Sequence, residues 1–299
     1  QAFNLSRVGS LSGLSPRNMK SLRFPGKVNI RQIKIPRYFA VFLNQNQSAA
    51  LSDKNVRLAL AHAADKNKII EIINGSGFKI DSPILPEVFE NFSGSIKRYD
   101  HNPGFSRQIL ENSGWLDDNN DGFREKKGQT LEIELAVPLR KELVEIGGEL
   151  KKDWESVGIK INLMNVPVLE LQQNYIQPRT YQALLFGEVL NIEPDRFGFW
   201  HSTQKKDPGL NLALYDSSGA DKILEETRQT LNPVARADRY RDFQNLVIED
   251  LPAIFLYSPN YIYPQSKKIK GFEDELLGLP SERFANIEKW HIETRRVRK

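Results

Sequence analysis

Residues 131–164 read LEIELAVPLRKELVEIGGELKKDWESVGIKINLM, and two periodicities succeed one another within them. Leu131, Ile133, Leu135 and Val137 alternate with polar or small residues, the period-2 pattern of a half-buried strand. From about Lys141 the spacing changes, and Leu143, Ile146, Leu150, Trp154 and Val157 fall on one face of a helix. Gly158 supplies a stop, after which Ile159, Ile161 and Leu163 restore the strand period. Strand, helix and strand at this spacing predict a βαβ unit with a right-handed parallel crossover. The fold class is therefore α/β.

The segment leading into this unit, WLDDNNDGFREKKG at 115–128, sets Asp117, Asn119 and Asp121 at alternate positions before Gly122. An EF-hand loop begins this way, but its twelfth position needs a bidentate Glu and an exiting helix. Here that position is Gly128, and a strand follows. An Asn-Asp-Gly turn accounts for the composition, because Asn and Asp tolerate left-handed backbone and Gly supplies it freely. The expectation is a turn without metal; the alternative is a weak calcium site of another kind on Asp117, Asn119 and Asp121.

Working outward, residues 37–44 (RYFAVFLN) read as an apolar, aromatic strand, followed by a helix capped by Asp53 with Val56, Leu60 and Ala63 or Ala64 on its apolar stripe. A second helix is predicted over 65–74, ending at Gly75. Beyond the βαβ unit come a short helix over 168–176, a strand from Tyr181, a helix over 221–231 with the capping pair Ser218 and Asp221, and a helix over 235–250 after Pro233. AIFLYS and YIYP then suggest two extended segments, whereas residues 1–37 lack sustained periodicity.

Composition narrows the chemistry. A chain of 299 residues predicts about two domains. With 42 Lys and Arg against 38 Asp and Glu it is not polycationic, and the terminal RRVRK is too short to argue nucleic-acid binding. No 18-residue apolar run suggests a membrane-spanning helix, and residues 1–21 lack the apolar core of a signal peptide. Cysteine is absent, which removes disulfides, thiolate chemistry and Cys-based zinc sites and suits an oxidising compartment. The four histidines stand far apart, outside any HExxH-type pair, and neither GxSxG, GxGxxG nor a Walker sequence occurs. No cofactor is expected.

Four segments in order, LSDKNVRLALAHAADKNKII, YDHNPGFSRQILENSGWLDDNNDGFREKKG, EPDRFGFWHS and ARADRYRDFQNLVIEDLPAIFLY, together resemble the C-terminal part of family 5 extracellular solute-binding proteins, the dipeptide- and oligopeptide-binding proteins of ABC importers. The likeness runs from about Arg37 to about Phe272. It implies a periplasmic-binding-protein-like (type II, Venus-flytrap) lobe with a mixed sheet, and an incomplete N-terminal lobe. Residues 1–40 would be a remnant of the first lobe and hinge strand, 41–250 the second ligand-binding lobe, and 251–299 the crossover back and the C-terminal tail. It further implies a metal-free turn after Gly114-Trp115, and no catalysis. The implied partners are an oligopeptide or other small solute and ABC transporter permease subunits, with no nucleic acid. The implied location is extracytoplasmic and peripheral to the membrane, with an anchor through the missing N-terminus.

Residues 184–202, LLFGEVLNIEPDRFGFWHS, carry the mixture of aromatic walls and polar handles that an enclosed solute requires. The candidate ligand-binding residues are Phe186, Gly187, Glu188, Val189, Leu190, Asn191, Glu193 and Trp200. Phe186, Phe199 and Trp200 supply walls, Glu188, Asn191 and Glu193 polar handles, and Gly187 room for close backbone approach. Core packing is the competing reading of the aromatics, a solvated loop that of the two glutamates, and a turn or cap that of Asp195. By the resemblance, the position where peptide-binding members carry an aspartate for the peptide's ammonium falls on Leu190. Either Glu188 or Glu193 replaces that aspartate, or the solute is not a free-amine peptide. Two further functions stay open: a surface structural or adhesive module without transport, and a hydrolase using Glu188 and Asp195.

Overall fold

The computed structural model describes residues 1–23, 25–85, 96–190, 195–273 and 276–292. Strands β1 (Val28–Ile33) and β2 (Arg37–Leu43) lead into helices α1 (Ala49–Ser52), α2 (Lys54–Ala63) and α3 (Lys66–Ile72), strand β3 (Gly77–Lys79) and helix α4 (Pro103–Asn112). A small hairpin of β4 (Glu125–Lys126) and β5 (Gln129–Thr130) precedes β6 (Glu132–Pro138), α5 (Lys141–Glu155) and β7 (Lys160–Val166). These last three are the βαβ unit, with β6 and β7 parallel and in register from Glu132 opposite Lys160 to Pro138 opposite Val166. Helix α6 (Val168–Leu171) continues into a π turn, Gln172–Ile176, before β8 (Ala183–Val189) and α7 (Phe197–Trp200). Helices α8 (Ser218–Gln229) and α9 (Pro233–Asp250) then precede β9 (Ala253–Pro259), β10 (Tyr261–Ser266), β11 (Ile269–Lys270) and β12 (His291–Ile292).

A six-stranded mixed sheet in the order β3-β9-β2-β8-β6-β7 forms the centre. Strand β6 runs parallel to β7 and β8, while β2 is antiparallel to both β8 and β9. Alternation sorts the strand residues between two cores. Val41, Leu43, Ile133, Leu135 and Leu185 face a layer that includes Leu60, Ile109, Ile146, Leu150 and Trp154. Tyr38, Ala40, Phe42, Ala136 and Leu184 face Trp200, Leu224, Tyr240, Phe243 and Val247.

Helix starts follow side-chain chemistry. Asp53 accepts from the Asn55 amide at 2.9 Å, Asp65 from Asn67 at 2.9 Å, and Asn232 from Val234 and Ala235 at 2.9 and 3.1 Å. Ser217, not Ser218, caps α8: it is the residue with extended backbone, and its hydroxyl accepts from the Ala220 amide. The helix therefore starts at Ser218, three residues ahead of the expected position, and α3 stops at Ile72 rather than near Asn74.

The Asp117 loop is closed on itself. Asp117 Oδ1 and Oδ2 accept from the amides of Asp121 and Gly122 (both 3.1 Å), and Asp121 Oδ1 accepts from Phe123 at 2.8 Å. Asn119 Oδ1 takes a second bond from the Asp121 amide at 2.8 Å. Side chains thus satisfy their own backbone, the turn chemistry expected of this composition.

Strand β9 lies inside the main sheet, between β3 and β2, and six of its seven residues are buried. The expected boundary at residue 250 accordingly cuts off a central strand, and the one at residue 40 falls within β2. The apolar run AIFLYS predicts a strand but not the sheet it joins. β1 pairs instead with β10, Val28 opposite Ser266, over a separate small core of Ile33, Ile35, Tyr261, Tyr263 and Leu277. The terminal RRVRK lies outside the described residues.

Candidate functional site

Antiparallel pairing of β2 with β8 sets Tyr38 opposite Glu188, Phe39 opposite Gly187 and Ala40 opposite Phe186. Tyr38 and Glu188 therefore project to the same face, and the buried Tyr38 hydroxyl donates a hydrogen bond to Glu188 Oε2. Glu188 is only 4% exposed, and its Oε1 is buried without a hydrogen-bond partner among the described residues. Burial outweighs the Tyr38 bond and the nearby charge of Arg196, and pushes the Glu188 carboxyl up to about 8. Arg196 is itself fully buried, with Nε donating to the Pro83 carbonyl at 3.1 Å.

The opposite face of the same strand pair is tightly packed. Phe39 stacks on Tyr257 with ring centroids 5.0 Å apart, and a Cβ on Gly187 would lie 2.8 Å from the Phe39 ring. The close approach that glycine permits at this position is made by a ring of the chain itself. Tyr257 in turn donates to Glu142 Oε1 at 3.2 Å.

Between these groups lies a cavity of about 180 Å³. Its walls are the start of β2 (Arg37, Tyr38, Phe39), the end of β6 (Pro138), Arg140 and Leu143 at the start of α5, Val168, and the end of β8 from Phe186 to Val189. It thus sits at the carboxyl ends of the parallel strands, where open α/β sheets place their ligands. Burial pulls the half-buried Arg37 guanidinium below its ordinary value, a shift opposed by Tyr257 and Glu142. A larger cavity, about 540 Å³, opens near α3 and β3, but its buried ammonium, Lys66, is already held by Asp81 at 2.6 Å and by the Ile80 carbonyl at 2.9 Å.

Of the residues expected from sequence, Phe186, Gly187, Glu188 and Val189 meet in the 180 Å³ cavity. Leu190 does not line it: its side chain is buried and its amide donates to the Pro36 carbonyl at 2.7 Å. Trp200 is fully buried in the core beside Phe255 (5.8 Å) and Tyr215 (6.1 Å), so packing is its role, and Phe199 packs against the same cluster. Asn191 and Glu193 lie outside the described residues. Asp195 accepts from the Phe197 amide at 3.0 Å and pairs with Arg228 at 2.8 Å, as a turn former does. Arg37, Tyr38, Phe39, Pro138, Arg140, Leu143 and Val168 escaped the sequence reading, because only strand register and the crossover bring them to the end of β8. Among the described residues no cluster of three or more His, Asp or Glu stands where it could hold a metal ion.

A mixed sheet with helices on both faces and a half-open pocket at its strand ends defines an α/β binding lobe. Residues 4–210 match the profile of bacterial extracellular solute-binding proteins, family 5 Middle, and the chain belongs to this family. The oligopeptide-binding protein AppA of Bacillus subtilis (strain 168) is 27% identical over 268 residues, covering 84% of this chain and 46% of AppA. The solved structure of AppA in complex with a nonapeptide superposes with a TM-score of 0.81 at 23% identity, over 98% of this chain and 57% of that one. NikZ of Campylobacter jejuni in complex with Ni(L-His) gives 0.82 at 23% identity, over 97% and 58%. The fold is that of the type II periplasmic binding proteins. The chain spans about half the length of these relatives.

Proposed function

We propose that the protein is the solute-binding component of an ABC importer, which captures an oligopeptide or related small solute between two lobes and delivers it to membrane permease subunits. In this reading the chain ahead of β2 belongs to the first lobe and hinge, the six-stranded sheet with its helices is the second ligand-binding lobe, and the strands from β10 onward cross back. The observation that carries it is the pocket at the strand ends of a family 5 lobe. At about 180 Å³ it is smaller than the roughly 300–1,000 Å³ of a complete small-molecule site, as one wall of a two-walled cleft would be. Solute then selects the closed state by binding both walls at once, and the work done is capture, with no covalent step. Similar folds hold a nonapeptide in AppA and a nickel–histidine complex in NikZ, which supports a scaffold whose pocket chemistry decides the solute. An extracytoplasmic, membrane-peripheral location follows from the same reading; among the described residues no helix is long and apolar enough to cross a membrane.

The test is mass spectrometry of small molecules released by denaturing the full protein purified from the cells that make it. A solute present in near-stoichiometric amount, and raising the melting temperature when added back, is the expected result. Absence of any retained molecule, together with no stabilisation by extracts of the growth medium, would sink the importer reading and favour a surface module without transport.

A further inference from the structure

We infer that the pocket takes its solute by a carboxylate group, held by Arg37 and Arg140 beside the start of α5, and that Glu188 does not serve as partner to a solute ammonium. This rests on the solute-binding reading above and specifies its chemistry.

Two guanidinium groups line the pocket, and neither forms an ion pair or a side-chain hydrogen bond among the described residues. Arg37 is half-buried, and its Nε is buried with no hydrogen-bond partner among the described residues. Burial of this cation is only partly offset by the nearby charge of Glu142, and an entering anion would offset more of the cost. Arg140 is exposed and stands at the N-cap of α5, a helix of 15 residues, without using its side chain as a cap. Among the described residues no side chain takes up the first-turn amides of that helix, at the end where the dipole favours negative charge. Leu143 of the same turn lines the pocket. The acid in that turn, Glu142, is engaged by the Tyr257 hydroxyl at 3.2 Å.

Glu188 points to the same conclusion from the other side. Among the described residues it is the acid that lines this pocket, yet one of its oxygens is taken by Tyr38 and the other is buried and unmatched. Burial pushes its carboxyl up to about 8, so near neutral pH the neutral form is favoured, which offers a hydroxyl donor and no counter-charge. An ammonium entering here would meet two guanidinium groups, with the charge of Glu142 as a partial counterweight. A carboxylate would meet two planar forks suited to bidentate bonding. Leu190 contributes no charge either, being a buried apolar side chain.

The experiment uses the full protein and four matched libraries of short peptides lacking Asp and Glu: free at both ends, acetylated at the amine, amidated at the carboxyl, and capped at both. Affinity is read by thermal stabilisation and native mass spectrometry. Amidation is expected to weaken binding by about tenfold or more, in line with loss of a charge-assisted bond, while acetylation changes it by less than about threefold. Arg140→Gln and Arg37→Gln should each lose about tenfold toward free acids and nothing toward amides. Because Arg140 is exposed, its variant should melt with the wild-type protein when ligand-free, which separates binding from folding. Equal binding of acids and amides, or a loss caused by acetylation instead, would overturn the inference and leave the importer reading standing. No binding of any library would also overturn it, and the co-purification measurement would then decide the broader reading separately.

Discussion

Glu188 shows how much of this site is decided by what one side chain is denied. In an unfolded chain its carboxyl ionises near the ordinary value of 4.5, whereas in the fold burial holds the proton to about 8. Between those values the folded state binds more protons than the unfolded one, so stability falls as pH rises through that window, and the penalty is complete above it. Glu188→Gln removes the titration but keeps an oxygen to accept the Tyr38 hydroxyl. The variant should therefore gain on the wild type progressively from pH 5 to pH 8.5, by something on the order of a few kcal/mol at the alkaline end. Urea unfolding across that range checks it, and parallel pH profiles for the two proteins would refute it. The sequence made Glu188 visible as an acid among aromatics, but Tyr38 lies 150 residues away. Only antiparallel register brings the two together, and no short turn joins these distant strands to fix that register locally.

Elements were legible where their signal is local. The strand–helix–strand unit at 131–164 emerged as read because two alternations and one helical stripe specify it within 34 residues. Boundaries shifted where neighbours compete, as with Ser217 and Ser218, which only backbone geometry tells apart. The end of α5 offers a sharp test. Gly158 has φ +91°, and a Cβ there would lie 2.7 Å from Arg124 Cγ. Arg124 is not free to withdraw: it donates to the Val157 and Trp115 carbonyls at 2.9 and 2.8 Å and pairs with Glu111 at 2.9 Å. Gly158→Ala thus combines left-handed strain with a displaced buried cation, and should cost about 1–3 kcal/mol. Ten residues earlier, Gly148 sits inside the helix with nothing within 4 Å of a built Cβ. Gly148→Ala should stabilise by about 0.4–1 kcal/mol, because alanine is the better helix former and restricts the unfolded chain. Opposite signs for two Gly→Ala changes on the α5 segment, read in one urea titration, are the expected outcome. A neutral Gly158→Ala would show that Arg124 does not pin the helix end.

At the scale of the whole molecule, chain order and sheet order diverge, and this determines where the protein can be divided. Strand β9 follows α9 in sequence but pairs with β2, a strand more than 200 residues earlier, and with β3 on its other edge. The same junction is tied from α2, where buried Arg57 donates to the Asp250 carbonyl at 2.8 Å and to the Leu251 carbonyl at 3.1 Å. A chain ending at residue 250 would leave β2 with an unpaired edge and both cores open where Ile254, Phe255, Leu256 and Tyr257 had been. Each such side chain contributes about 1.5–3 kcal/mol on burial, and four of them together rival the 5–15 kcal/mol by which a typical domain is stable. The expectation is that residues 1–250 express as a chain without a cooperative thermal transition, while the 299-residue chain melts in one. Near-ultraviolet circular dichroism through a temperature ramp distinguishes the two. A sharp, reversible transition in the shortened chain would mean that β9 is an accessory to the sheet and that the lobe closes at α9.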